Sequence, residues 1–186
     1  MGYLKITEKN KKCPFFDNYS TKQEVEWLIK YITRTKENGN AEDLMMCGAF
    51  GVPYGVDSDQ IIKIFLTEQY FFNGEGDIGP RLFHEIFWLT EEETQIIMQS
   101  IKWEYLIYYL AEHAAYVYFS KGFQVVYAVH LKGRGDKQKL HIHFAVNTVN
   151  FFTGHKFHTG INKDQDAREY AMNMELYNVI IESNRN

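Results

Sequence analysis

At 186 residues, 45% hydrophobic and 24% charged, the chain is long enough for one domain with a sizeable core and too mixed in composition to be fibrous or disordered. A formal charge of −4 gives no bulk bias toward nucleic acid, so a polyanionic partner would have to meet a local basic patch. The two cysteines, Cys13 and Cys47, form neither a disulfide framework nor a zinc-knuckle spacing and are read as reduced and cytoplasmic, and no run of about 18 apolar residues is present to enter a membrane.

Residues 3–7 read as a short first strand. "STKQEVEWLIKYITRTKENGN" reads as a helix with Ser20 or Thr21 as N-cap, one buried face at Val25, Leu28, Ile29 and Ile32, and an end by Gly39. "DLMMCGAFGVPYG" is an apolar strand or loop broken by Gly and Pro. A second helix, "DSDQIIKIFLTEQYFF", starts at Asp57 or Ser58, and the loop "NGEGDIG" leads to an aromatic-rich strand, "PRLFHEIFWL". One long helix then runs from a Thr90/Glu93 capping box to Gly122, with a kink expected near Ser100. Two strands follow, "FQVVYAVHL" and "LHIHFAVNTVN", joined by the loop 132–139. A turn with a short strand, "FFTGHKFHTG", leads to the closing helix "KDQDAREYAMNMELYNVIIES". This order predicts an α+β fold, a single domain over 1–186 in which helices pack mainly on one side of an antiparallel sheet.

Histidine placement carries the chemistry. On a strand, residues i and i+2 share a face, so His141 and His143 point together while Ile142 points away. Paired as a hairpin, the preceding strand brings His130 beside His141, at the roughly 4.5–5.5 Å expected between cross-strand Cβ atoms. Three imidazoles can then share one ion and leave coordination positions open, as a catalytic site needs. Softness admits Zn, Mn, Co or Ni. His84 is a fourth candidate. His113 reads as packing or surface, and His155 and His158 flank a turn.

"VYAVHLKGRGDKQKLHIHFAVNTVNFFTGHKFHTG" resembles the third motif of conjugative relaxases, in the MobA/VirD2-like (MobP) branch of the HUH endonucleases: a His, then His-x-His, then Asn-x-Val-Asn and a Thr-Gly turn. "LIKYITRTKENGN" resembles the first motif, a tyrosine in a Lys-Tyr-Ile-Thr context, and "RLFHEIFWLTEEE" stands where the second lies. The pattern departs at Lys132, where the family carries an acid, leaving Asp136 as the candidate replacement, and at Trp88, near a position that is often Ser.

The resemblance implies an HUH-type sandwich, with a central antiparallel sheet flanked by helices. It implies site- and strand-specific nicking of single-stranded DNA at an origin of transfer, with accessory relaxosome proteins as further partners and no membrane. Tyr31 would be the nucleophile, forming a 5′-phosphotyrosyl link. His130, His141 and His143 would hold a divalent ion, Mn or Mg first, with Zn, Co or Ni as alternatives. Arg34, Lys36, Arg81, Lys132 and Arg134 are candidate phosphate contacts. The chain would be an isolated catalytic domain or a small relaxase.

Three alternatives remain open from sequence. A rolling-circle initiator or tyrosine transposase would use a tyrosine after the histidines, such as Tyr170 or Tyr177. A three-histidine zinc hydrolase would use a metal-bound water and no tyrosine. A non-catalytic DNA-binding module would keep the histidines as structural groups.

Overall fold

Five strands and five helices make up the described residues. They are β1 (Tyr3–Ile6), α1 (Lys22–Ile32), β2 (Leu44–Phe50), α2 (Ser58–Asn73), β3 (Leu82–Trp88), α3 (Glu91–Met98), α4 (Trp103–Ser120), β4 (Phe123–Lys132), β5 (Lys139–Asn150) and α5 (Gln165–Ser183). The computed structural model describes residues 1–6, 19–34, 44–76, 79–132, 137–156 and 165–184. The sheet order is β1-β3-β5-β4-β2, every neighbouring pair antiparallel. The α+β expectation of a central antiparallel sheet flanked by helices therefore holds.

The middle strand decides the architecture. β5 lies between β3 and β4 and is buried along nearly its whole length, so both of its faces must be covered. One face carries Ile142, Phe144 and Val146, which join Val125, Tyr127 and Val129 of β4 in a core closed by residues of α3, α4 and α5. The other face carries Ala145, which joins Val126 and Ala128 under Val25, Leu28, Ile29 and Ile32 of α1 and Ile61, Ile62 and Phe65 of α2. Helices thus pack on both sides, not mainly on one. The physical reason is that each face of β4 and β5 presents apolar side chains that only a packed layer can remove from water.

Helix α1 begins with a complete capping box between Thr21 and Glu24. Each of its four buried aliphatics adds about 1.5–3 kcal/mol on burial. It ends at Ile32, where the Thr33 hydroxyl donates back to the Ile29 carbonyl at 2.6 Å. That end falls before the Gly39 limit expected from the sequence. Helix α2 is capped by Asp57 with Gln60. Its inner side is tied to the sheet by Gln69, which donates to Asn147 Oδ1 at 2.9 Å and accepts from Arg81 at 3.0 Å.

The expected long helix after Thr90 is two helices. Between α3 and α4 the Ser100 hydroxyl accepts from the Lys102 backbone N–H at 3.3 Å, offering the chain a local bond that competes with helix continuation. At its far end α4 stops before Gly122, whose φ of 90° is the left-handed region. After β5, Lys156 forms an isolated bridge to Val149 where a short strand was expected, and the rest of that stretch lies outside the described residues. No helix of the described residues is long and apolar enough to cross a membrane.

Candidate active site

His130 and His141 are register partners across the β4–β5 hairpin, and Ala128 faces His143 one step along. The three imidazoles project from the side of the sheet that α1 and α2 cover. Their ring centroids are 5.4, 4.7 and 5.0 Å apart for the pairs 130–141, 130–143 and 141–143. One nitrogen from each lies within 4.8 Å of the others, and all three residues are buried.

Two hydrogen bonds orient two of these rings. His130 Nε2 is 2.8 Å from the Ile32 carbonyl. A carbonyl can only accept, so Nε2 carries the proton and Nδ1 keeps a lone pair. His143 Nδ1 is 2.9 Å from His84 Nε2, and His84 Nδ1 is 2.9 Å from the Tyr19 hydroxyl. With Nδ1 of His143 as donor, its Nε2 is the lone-pair nitrogen. That Nε2 is buried with no hydrogen-bond partner. A core position would leave such an atom costing about 1–3 kcal/mol, whereas a metal ligand needs it. The donor set therefore fits a divalent cation. His141 is held differently, by Trp88, which stacks on it at 4.1 Å with the rings nearly parallel.

Burial holds the His84 imidazole down to about 3, helped by electrostatic repulsion against a second proton on nearby His130. Burial likewise holds His143 well below its ordinary range, followed by His84, His130, His141 and Arg34. Both are neutral in the folded protein, the state that ligation requires. An unfolded chain takes up protons at these positions from about pH 6.5 downward while the folded one does not. Folding stability should therefore fall as pH drops below 6.5, for His84 toward its folded value near 3, by at most about 1.4 kcal/mol per pH unit for each histidine. Urea unfolding of metal-free protein at pH 7 and pH 5 checks this; equal midpoints would contradict it.

Tyr31 lies at the end of α1, off the buried stripe, and is 39% exposed. Its ring is 5.9 Å from that of His143, edge-on, and 6.5 Å from that of His130. Trp27, one turn earlier, stacks on it at 5.2 Å with 6° between the planes. The Arg34 guanidinium lies 4.7 Å from the ring centroid and donates to the Tyr31 carbonyl at 3.2 Å. The i, i+3 and i+4 spacings of 27, 31 and 34 put all three side chains on one surface of the helix end.

The other sequence candidates separate by the same geometry. Tyr170 and Tyr177 are exposed on α5, whose buried residues Met172, Leu176 and Val179 pack in the core on the opposite side of the sheet. The sheet stands between them and the histidines. Arg81 is buried, and its guanidinium is used inside the protein, on the Ser20 carbonyl at 3.1 Å and on Gln69. Lys132 is exposed at the end of β4. Lys36, Arg134, Asp136 and His158 lie outside the described residues. His113 is on α4 with Nδ1 3.2 Å from Glu175, and His155 is exposed in the turn after β5.

Two members of the site carry little sequence signal. Tyr19 lies outside every motif, and only the fold brings it to His84, 65 residues on. Trp27 was detectable in principle, as an aromatic residue four before Tyr31 off the apolar stripe.

A family model described as the nuclease domain of MobA/VirD2-like relaxases matches residues 31–178. No curated protein matches the chain. The matched span begins at Tyr31, takes in all three clustered histidines and runs into α5. The chain thus belongs to the MobA/VirD2-like relaxases and carries their DNA-nicking nuclease domain, which acts in mobilisation.

Proposed function

We propose that this domain cuts one strand of single-stranded DNA at an origin of transfer by transesterification, with Tyr31 as nucleophile. The observation that carries the reading is the half-exposed Tyr31 ring beside His130 and His143, 5.9 Å from the latter. The Tyr31 oxygen forms a bond to the scissile phosphorus and the bond to the 3′-oxygen breaks. The phenol proton leaves to solvent, the departing 3′-oxygen takes one proton from solvent to become a free hydroxyl, and the 5′-phosphate remains on the tyrosine. One phosphodiester replaces another, so the step runs in both directions and permits rejoining.

His130 through Nδ1, His143 through Nε2, and His141 would hold the divalent ion, Mn or Mg. When bound, that ion supplies charge that polarises the phosphate and offsets the negative charge developing on it. Arg34, beside Tyr31 and close enough to bias His143, would hold a phosphate oxygen. Trp27 fixes the Tyr31 ring plane by stacking, which narrows the directions from which the phenol can attack.

The test is incubation with a labelled pool of single-stranded oligonucleotides and Mn²⁺, followed by a denaturing gel. A covalent protein–DNA band is expected, and hydrolysed product without such a band would support the three-histidine hydrolase instead. Fully paired linear duplex should yield no adduct, because the strand must enter the cleft unpaired. Binding should weaken steadily with added salt as phosphate contacts release counterions. Equal cleavage of duplex would overturn the substrate reading.

A further inference from the structure

Helix α1 is fastened to the histidine cluster at both ends. Its last carbonyl, on Ile32, accepts from His130. Before its first turn, Tyr19 reaches back under the helix to His84, which holds His143. Tyr19 is 2% exposed and its ring meets His84 edge-on at 5.7 Å. Its backbone is pinned to the start of β3, where the Arg81 N–H donates to the Tyr19 carbonyl at 2.9 Å. Among the described residues Tyr19 is the one non-glycine with positive φ, 39°. A tyrosine held in the left-handed region is strained, and such strain persists where surrounding contacts dictate it.

His84 occupies a diagonal position. Its register partner on β5 is Ala145, two residues from His143, and the small alanine leaves the space in which the two imidazoles stack at 5.2 Å. With His143 ligating through Nε2, its Nδ1 donates to His84 Nε2 across the 2.9 Å contact, and His84 then donates from Nδ1 to the Tyr19 oxygen. That order leaves the lone pair of His143 on Nε2, the nitrogen that is buried without a hydrogen-bond partner.

We infer that His84 and Tyr19 are positioning residues for the metal centre: they select the tautomer and ring orientation of His143 and tie the ligand set to the helix that carries Tyr31. This rests on the metal reading above. Neither residue need touch the ion or the DNA. Their effect is on how well three imidazoles are preorganised for a cation, which outer partners of metal ligands commonly govern. A neutral imidazole as that partner raises ligand basicity less than a carboxylate would, and it fixes the proton only while its own Nδ1 donates to Tyr19.

The test is calorimetric titration of Mn²⁺ alone into the metal-free full chain, comparing wild type with Tyr19→Phe, His84→Ala, His84→Gln and His143→Ala. His84→Ala should weaken Mn²⁺ binding by about 10–100-fold. His84→Gln should stay within about threefold of wild type, because its side-chain oxygen can accept from His143 Nδ1 and its amide can donate to Tyr19. Tyr19→Phe, which keeps the ring and removes only the hydroxyl, should weaken binding about threefold or more. Wild-type affinity in both His84→Ala and Tyr19→Phe overturns the inference, and so does a His84→Gln variant as weak as the alanine. If His84→Ala fails to fold, the Tyr19→Phe and His84→Gln values decide by the same criteria. Absence of Mn²⁺ binding by wild type, unchanged in His143→Ala, removes the metal reading itself and this inference with it.

Discussion

Tyr31→Phe should yield a folded protein that binds single-stranded DNA and forms no covalent adduct with it. The substitution deletes the oxygen that would bond to phosphorus and nothing else. The ring can still stack on Trp27 and lie under Arg34, and the side chain is 39% exposed, so stability should change by less than about 0.5 kcal/mol, as for other surface changes. Loss of the nucleophile should reduce adduct formation by at least about 10³-fold. Tyr170→Phe and Tyr177→Phe should have no effect, because α5 packs on the far side of the sheet. Denaturing gels with peptide mapping provide the measurement. An adduct found on Tyr170 or Tyr177 would replace the assignment with the replication-initiator or transposase reading.

The second large effect belongs to His143. His143→Ala removes the one ligand candidate that touches both the Tyr31 ring and the His84 chain. Mn²⁺ binding should fall by more than the roughly 10–100-fold produced by an outer partner. Adduct formation should fall by about 10²–10⁴-fold, the loss of several kcal/mol of charge stabilisation at the phosphate. The fold should survive at a cost of about 1–3 kcal/mol, since His84 Nε2 loses its donor while the apolar core on the opposite face, Ile142 and Phe144 included, is untouched. His113→Ala, on α4, is the matched control and should bind Mn²⁺ as wild type does. Circular dichroism and calorimetry together separate loss of the site from loss of the fold, and full activity in a strong chelator would sink the metal assignment.

Elements whose physics is local were legible in the chain alone. Thr21, Asp57 and Thr90 each make the capping bonds their spacing to Glu24, Gln60 and Glu93 implies, because a cap involves only four consecutive residues. The stripe Val25, Leu28, Ile29 and Ile32 is buried as its period requires. His130, His141 and His143 come together because strand alternation and one hairpin register suffice to place them, Val129 opposite Ile142. The Lys-Tyr-Ile-Thr stretch and the histidine motif, in that order, also carried the family.

Other features depended on contacts between residues far apart in the chain. Nothing local says that α5 lies behind the sheet while α1 lies in front of it, yet this alone separates Tyr170 from Tyr31. The division of helices between two faces follows from β5 being the central strand, a matter of strand order that periodicity does not encode. At the break between α3 and α4 a serine hydroxyl accepts from a backbone N–H and the backbone turns at Ser100, where helical propensity permitted continuation. Arg81, a plausible phosphate contact on charge alone, is drawn inward by Gln69 and the Ser20 carbonyl. Tyr19 reaches His84 across 65 residues of chain, and a hydrogen bond over that separation exists only once the sheet and α1 have packed.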